Sequence, residues 1–297
     1  LEKPEDSFYL SPTAFSTLFR NYVSKCISFS AIKPYLLFNY PNNYRGKRKG
    51  GFFVIRIIPA EARHLEDFGW LKSYMLFSFS NYYDPENVQF GSLRVFNDET
   101  VQQGRGFSTH LHAEMEIISV VLEGEITHED NLGNRGVLGK GEVQCITAGT
   151  GIQHSELNTG KEPLHFFQIW ILPSESCLEP AYSQKKFEVS GWKNQFCPLV
   201  SGQGFENALK INADATIYQA SLEKGHITHF NSQENRCIFI YISAGELSVN
   251  GQRIGQGDQA RIELEQAVHM EAVSSGTPAE FILIDVPRQE SKPDKFF

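Results

Sequence analysis

No stretch of this 297-residue chain approaches 18 consecutive apolar residues, so a membrane-spanning helix is not encoded. No Cys-x-x-Cys pair occurs either. The five cysteines (Cys26, Cys145, Cys177, Cys197, Cys237) are odd in number and irregularly spaced, which argues for reduced thiols in a cytoplasmic protein rather than a disulfide framework. There is no Gly-x-Gly-x-x-Gly after a strand, no phosphate loop and no Gly-x-Ser-x-Gly, so nucleotide-dependent and serine-hydrolase chemistry are not indicated. Basic charge is outweighed: the formal net charge of −8 gives no general affinity for nucleic-acid phosphate.

One further absence is local. From Ser7 to Gly50 there is no acidic residue, and the stretch ends in Arg45-Gly-Lys-Arg-Lys-Gly-Gly51. Residues 1–51 are expected to be an N-terminal extension, disordered or non-native, with organelle targeting or an interaction tail as the other readings. The remaining body carries the acidity of the chain.

What that body holds is short β-rich runs separated by Gly, Asn and Asp turns: Phe52 to Ile58, Ile117 to Leu122, Val143 to Thr147 and Leu164 to Leu172. A second set follows at Ala215 to Leu222, Arg236 to Ile242, Glu246 to Val249, Gln259 to Leu264 and Phe281 to Val286. Strands at this spacing with few helical patterns predict an all-β protein of two tandem β-barrel domains. The expected boundaries are 52–175 and 176–290, with a tail at 291–297. Weak internal similarity supports duplication. Leu122-Glu-Gly-Glu-Ile precedes Gly139-Lys-Gly-Glu-Val in the first half, and Ile242-Ser-Ala-Gly-Glu-Leu precedes Gly255-Gln-Gly-Asp-Gln in the second.

Four of the nine histidines lie between residues 110 and 154. His110-Leu-His112 and His154-Ser-Glu156 are pairs two residues apart, and in a strand such residues point to one face, about 7 Å apart. Two such strands facing each other would bring three imidazoles and one carboxylate round a single ion. That donor set suits one divalent transition metal, Fe(II), Mn, Ni, Cu or Zn, and not Mg or Ca, which want oxygen-rich shells. His110, His112, His154 and Glu156 are therefore the candidate metal ligands.

These residues carry a resemblance. Gly104-(x5)-His110-x-His112-(x3)-Glu116, followed by Gly124, resembles the first cupin motif, and Gly141-(x5)-Thr147-x-Gly149-(x4)-His154-(x3)-Asn158 the second. Within the cupins the chain is similar to the pirin family, through Phe90-Gly-Ser-Leu-Arg-Val-Phe-Asn-Asp98, Val121-Leu-Glu-Gly, His128-Glu-Asp, Gly149-Thr-Gly-Ile-Gln-His-Ser-Glu156 and Gln168-Ile-Trp170. The resemblance is dense over residues 54–172 and looser to about 287. It implies a bicupin of two jelly-roll (double-stranded β-helix) domains with one metal, usually iron, in the N-terminal barrel. It also implies a quercetin 2,3-dioxygenase-like oxidoreductase that opens a flavonol ring with O2 and releases carbon monoxide. In that mechanism Glu156 is the catalytic base that takes the proton of the substrate's 3-hydroxyl. The partners implied are a small phenolic substrate and O2, with no nucleic acid bound directly and no membrane. A rival reading is an iron-containing regulatory protein that docks on a transcription or metabolic partner, as animal members do.

The sequence departs from the family's usual pattern at Leu111, where proline is commoner, and at Cys145, where a larger side chain is typical and where a change in pocket shape is expected. Glu116 is a candidate to face the same side as His112, and Glu114 also stands near the pair. His128 reads as a turn residue bonded to Asp130, His165 as a strand residue at the barrel edge, and His64 as part of a surface turn or short helix. In the second half, His226-x2-His229 places its rings on opposite strand faces, and His269-x-Glu271 stands alone. No second metal is expected there.

Overall fold

Alternation builds most of the strands. Ile152–Leu157 buries Ile152, His154 and Glu156 and turns Gln153 and Leu157 outward, and Leu71–Met75 buries Leu71, Ser73 and Met75. Two strands break the pattern: Glu116–Glu123 and Arg236–Ala244 are buried at nearly every position. Only a sheet covered on both faces accommodates that.

The computed structural model describes residues 43–48, 51–265, 267–274 and 276–288. A seven-stranded sheet runs, in order of bonded neighbours, Ala181–Lys186, Glu142–Thr147, Glu116–Glu123, Leu164–Ile171, Leu93–Val101, Leu71–Met75 and His64–Asp67. Its inner face meets a four-stranded sheet of Gly106–His112, Ile152–Leu157, Glu125–Asp130 and Arg135–Gly139. The second unit repeats the plan. Its eight-stranded sheet runs Asn43–Arg48, Gly51–Ile58, Gln259–Glu263, Arg236–Ala244, Ala279–Pro287, Thr216–Leu222, Cys197–Ser201 and Leu209–Lys210, and it is paired with a four-stranded sheet of Ile227–Asn231, Ala267–Ala272, Glu246–Val249 and Gln252–Gly255. The fold is two jelly rolls in tandem. Within each unit the two sheets share no ladder among the described residues, so each is a sandwich rather than a barrel closed by hydrogen bonds. No helix of the described residues is long and apolar enough to cross a membrane.

The duplication is visible in matching corners. Gly124 and Gly245 both take positive φ, +75° and +71°, each between a long strand of the large sheet and the first hairpin strand of the small one. A Cβ at Gly124 would meet Pro163 O and Leu164 Cα, and one at Gly245 would meet Pro278 O. In the Gly-x-Gly-acid turns that follow, the carboxylates of Glu142 and Asp258 accept from the amides of Gly139 (2.7 Å) and Gly255 (2.8 Å). The repeat thus reflects one turn chemistry used twice.

The two large sheets pack face to face. Leu76, Phe77, Phe96, Ile118, Cys145, Phe167 and Ile169 of the first unit share one buried cluster with Leu199, Val200, Phe239, Tyr241, Ile282 and Ile284 of the second. Phe96 sits 5.3 Å from Phe239 and 4.9 Å from Tyr241, ring centroid to centroid. This shared core explains why the central strands are apolar on both faces.

The chain crosses the boundaries that its strand runs suggest. Gly51–Ile58 pairs with Gln259–Glu263 of the second unit, Val54 opposite Glu263 through Ile58 opposite Gln259, so residues 52–58 do not belong to the first unit's sheets. Ala181–Lys186 pairs with Glu142–Thr147, which assigns those residues to the first unit rather than the second. Of the extension, residues 1–42 and 49–50, and all of the tail 291–297, lie outside the described residues, whereas Asn43–Arg48 is a strand paired with Gly51–Ile58. An alternating run announces a strand without naming its partner.

Candidate metal centre

Pairing and pleat place the four singled-out residues inside the first unit. On the four-stranded sheet His154 stands directly opposite His110, and Ile152 opposite His112. The ring centroids of His110, His112 and His154 lie 4.5–5.0 Å apart. Ligand nitrogens of all three fall within 4.8 Å of one another. His112 and His154 are buried, and His110 is half-buried.

Glu156 lies two residues beyond His154, past a register shift in the ladder. Its carboxylate groups with His154 and His128, again with ligand atoms within 4.8 Å. The two triplets share His154. Glu156 is 2% exposed and is held from the opposite sheet by polar side chains. Gln144 Nε2 and Ser119 Oγ (3.2 Å) donate to Oε1, and Gln168 Nε2 donates to Oε2 at 2.9 Å. Gln168 Oε1, 3.0 Å from Ser119 Oγ, competes for the same hydroxyl proton, and Ser119 Oγ accepts from Gln144 Nε2 at 3.0 Å. Ser119 has one hydroxyl proton to share between Glu156 Oε1 and Gln168 Oε1, so each carboxylate oxygen keeps acceptor capacity.

The imidazoles are neutral at pH 7. Burial, then the neighbouring His154, pushes His110 down to about 4. Burial, with the charge of His110 and His154, holds His112 well below its usual range. Burial, then His128, pushes His154 down to about 3. Neutral rings present lone pairs, the form that a metal needs. The carbonyl of Ser108 accepts from His110 Nδ1 at 2.7 Å, which places that proton on Nδ1 and the lone pair on Nε2. His154 Nε2 is buried without a protein hydrogen-bond partner. Three neutral nitrogens and a carboxylate with a spare lone pair therefore fit a divalent transition metal.

Aromatic rings flank the cluster. Trp170 stands edge-on to His112 at 4.9 Å and edge-on to Phe79 at 5.3 Å. On the other side Tyr182 stacks on His128 at 4.2 Å with 12° between the ring planes.

Several neighbouring residues serve contacts away from the cluster. Glu116 does not face the histidines. Its carboxylate accepts from Thr147 Oγ1 at 3.0 Å, Thr147 in turn accepts from Asn212 of the second unit, and burial raises the Glu116 pKa. Its neighbour Ile117 packs instead with Ile146, Ile152 and Trp170. Cys145 likewise leaves the pocket untouched, because Gln144 points inward and Cys145 therefore packs in the core between the units. Glu114 accepts from the amide of Cys177. His165 meets Asp98 at 2.7 Å, and His64, on an edge strand rather than a helix, stacks on Tyr82. In the second unit His229 and His269 face each other at 4.9 Å; both groupings of three or more candidate ligands among the described residues lie in the first unit.

His128 was readable only in part. It meets Asp130 at 3.1 Å as its spacing suggests, but it is also fully buried and brings Nδ1 to 3.4 Å from His154 Nδ1. His128-x-Asp130 has the same i, i+2 spacing as the two candidate ligand pairs, and the strand register, with His128 opposite Glu156 and Asp130 opposite His154, puts it on their face.

Comparison with known proteins agrees with this geometry. The Pirin family profile matches residues 59–171, and that of the quercetinase C-terminal cupin domain matches residues 198–286. A quercetin 2,3-dioxygenase of Escherichia coli K12 is 37% identical over 235 residues, 79% of this chain and 99% of that protein. A pirin-like protein of Caulobacter vibrioides is 40% identical over 220 residues, 74% of this chain and 94% of that protein. Among solved structures, the E. coli bacterial pirin YhhW in complex with nickel(II) superposes with a TM-score of 0.74 at 37% identity, covering 79% of this chain and all of that one. With two jelly rolls in tandem, a His/Glu cluster in the first and relatives that span nearly their whole length, the chain belongs to the pirin family.

Proposed function

We propose that this chain is a metal-dependent dioxygenase that opens the ring of a quercetin-like flavonol with O2 and releases carbon monoxide. His110, His112, His154 and Glu156 hold one divalent metal in this reading, and ferrous iron is the metal we assign. The observation that carries it is the convergence of three neutral imidazoles on one point, one of which, His154, also groups with the Glu156 carboxylate. The quercetin dioxygenase names of its relatives and the nickel(II) bound by one of them support the same reading.

When bound, the metal supplies Lewis acidity towards a phenolic oxygen and a redox partner for O2. The protein's own part is positioning and proton transfer. Glu156 would hold the metal through one carboxylate oxygen and accept the 3-hydroxyl proton of the flavonol on the other, while Gln144 and Gln168 keep the carboxylate from rotating. Phe79 and Trp170 form an aromatic wall beside His112 suited to a flat polyphenol. A location in the cytoplasm belongs to this reading: Cys145, Cys177, Cys197 and Cys237 form no disulfide.

The test is to load the protein with Fe(II), add quercetin in air, and follow loss of its visible absorbance together with carbon monoxide release. Turnover that vanishes in His110→Ala and Glu156→Ala supports the assignment. Loss no faster than in those variants overturns it. Metal analysis of the purified protein comes first, because metal retained in both variants removes the proposed ligand set.

A further inference from the structure

His128 is buried completely, yet neither of its ring nitrogens is idle. Nε2 lies 3.1 Å from Asp130 Oδ2, and Nδ1 lies 3.4 Å from His154 Nδ1. An ionised carboxylate only accepts, so the Nε2 proton belongs to His128. A ring whose one proton is on Nε2 has its lone pair on Nδ1, and the atom bonded to that nitrogen is His154 Nδ1. His154 must supply the proton, which leaves the lone pair of His154 on Nε2. That nitrogen is the one buried without a protein partner, beside His110 and His112.

The far end of this chain is rigid. Asp130 Oδ1 accepts from the amides of Leu132 and Asn134, both at 2.9 Å, and Asn134 Nδ2 reaches both carboxylate oxygens. The acceptor for His128 is thus fixed by the turn that joins Glu125–Asp130 to Arg135–Gly139. The ring is fixed from its face as well. Tyr182, on the strand Ala181–Lys186, lies nearly parallel to it, and the Tyr182 hydroxyl donates to Gln184 Oε1 at 2.7 Å.

We propose that His128 is a positioning residue: the chain Asp130–His128–His154 sets the tautomer of His154 so that its Nε2 lone pair faces the metal centre. The proposal rests on the metal-centre reading above and extends it to two residues outside the ligand set. His128 is not itself a ligand in this scheme, since both its nitrogens are engaged, although it groups with His154 and Glu156 by distance. Carboxylate–histidine pairing behind a metal-bound imidazole is a general device for fixing ring orientation and raising donor strength, and losing such a partner lowers metal affinity roughly 10- to 100-fold.

Two measurements test it. In the metal-free wild type, long-range 1H–15N correlation of the histidine rings should show His154 protonated at Nδ1 and bare at Nε2; protonation at Nε2 overturns the proposal without reference to any metal. In parallel, nickel(II) affinity is measured by titration calorimetry for the wild type, His128→Phe, His128→Asn and His110→Ala. His128→Phe keeps a ring to stack on Tyr182 and should bind nickel about 10- to 100-fold more weakly. His128→Asn, whose amide oxygen stands near the former Nδ1, should recover most of that loss. Wild-type affinity in His128→Phe overturns the relay. Nickel binding that is absent from the wild type, or unchanged in His110→Ala, overturns the metal centre instead and leaves the tautomer measurement to decide the relay.

Discussion

Gln168 Nε2 donates to Glu156 Oε2 at 2.9 Å across the interior of the first unit, tying the central strand Leu164–Ile171 of the large sheet to Ile152–Leu157 of the small one. With Gln144 on the other oxygen, the carboxylate is oriented by amides that carry no charge. That arrangement fixes the direction of the carboxylate. Gln168→Leu keeps the buried volume and removes both the donor to Oε2 and the acceptor of Ser119. Nickel(II) affinity should fall roughly 10- to 100-fold, with the circular dichroism of the fold unchanged. Unaltered affinity would show that the amide does not orient the ligand.

Glu99 is another buried carboxyl of the first unit. Ser73 Oγ (2.9 Å) and Asn97 Nδ2 (3.1 Å) both donate to its Oε1, yet burial, reinforced by the charges of Glu156 and Asp98, pushes it up to about 7. A carboxyl raised in the folded state favours folding at low pH, because the folded protein keeps a proton that the unfolded chain releases near 4.5. Its stabilising effect is present below 4.5 and is lost as the pH rises to 7. One pK unit corresponds to about 1.4 kcal/mol, so the total change is on the order of 3 kcal/mol. Glu99→Gln should therefore be more stable than the wild type in metal-free urea melts at pH 8, and the gap should close by pH 4.5. A gap independent of pH would mean that Glu99 does not titrate in this range.

Much of the centre was legible because strands repeat every two residues. His110-x-His112 and His154-x-Glu156 need only that period to share a face, and the structure brings the three imidazoles to one point, with Glu156 entering through the triplet that it shares with His154 and His128. His128-x-Asp130 has the same spacing, but its place behind His154 depends on the pairing of Glu125–Asp130 with Ile152–Leu157. The bond between His128 and Asp130 hid the second contact. Parity also decides Cys145: Gln144 faces Glu156, so Cys145 must face the other unit. The partners of Gly51–Ile58 and Ala181–Lys186 were not legible. Their pairing depends on which edges the packed sheets leave open, a property of the assembled sheets and not of a local run.

Besides the Asn212–Thr147–Glu116 contacts, another polar chain crosses the interface between the units amid its apolar core. Arg63 donates to the Tyr241 hydroxyl at 2.6 Å, and Tyr241 donates to Asp98 Oδ2 at 2.5 Å. His165 lies 2.7 Å from the other oxygen of Asp98. Tyr241 belongs to the second unit and Asp98 and His165 to the first, so the hydroxyl links them. Tyr241→Phe preserves the packing against Phe96 and Phe167 and leaves Asp98 and Arg63 each short of one partner. Equilibrium unfolding should register a loss of about 1–3 kcal/mol, with nickel(II) affinity unchanged, since the hydroxyl serves the interface and not the metal centre.

Ile55 tests whether the strand Gly51–Ile58 is part of the second unit's core or a loosely added edge. Its side chain is fully buried and packs with Tyr218, Ile240, Ile262 and Leu283, all of the second unit, although it precedes the whole first unit in sequence. Truncation to alanine removes three carbons from a packed site, and such changes cost about 2–5 kcal/mol. Ile55→Ala should therefore lower the denaturant midpoint and increase proteolytic cleavage of the second unit's strands. The tautomer and metal affinity of the first unit should be untouched in the fraction that remains folded. If Ile55→Ala melts like the wild type, the strand contributes pairing but no core, and the second unit must be stable without it.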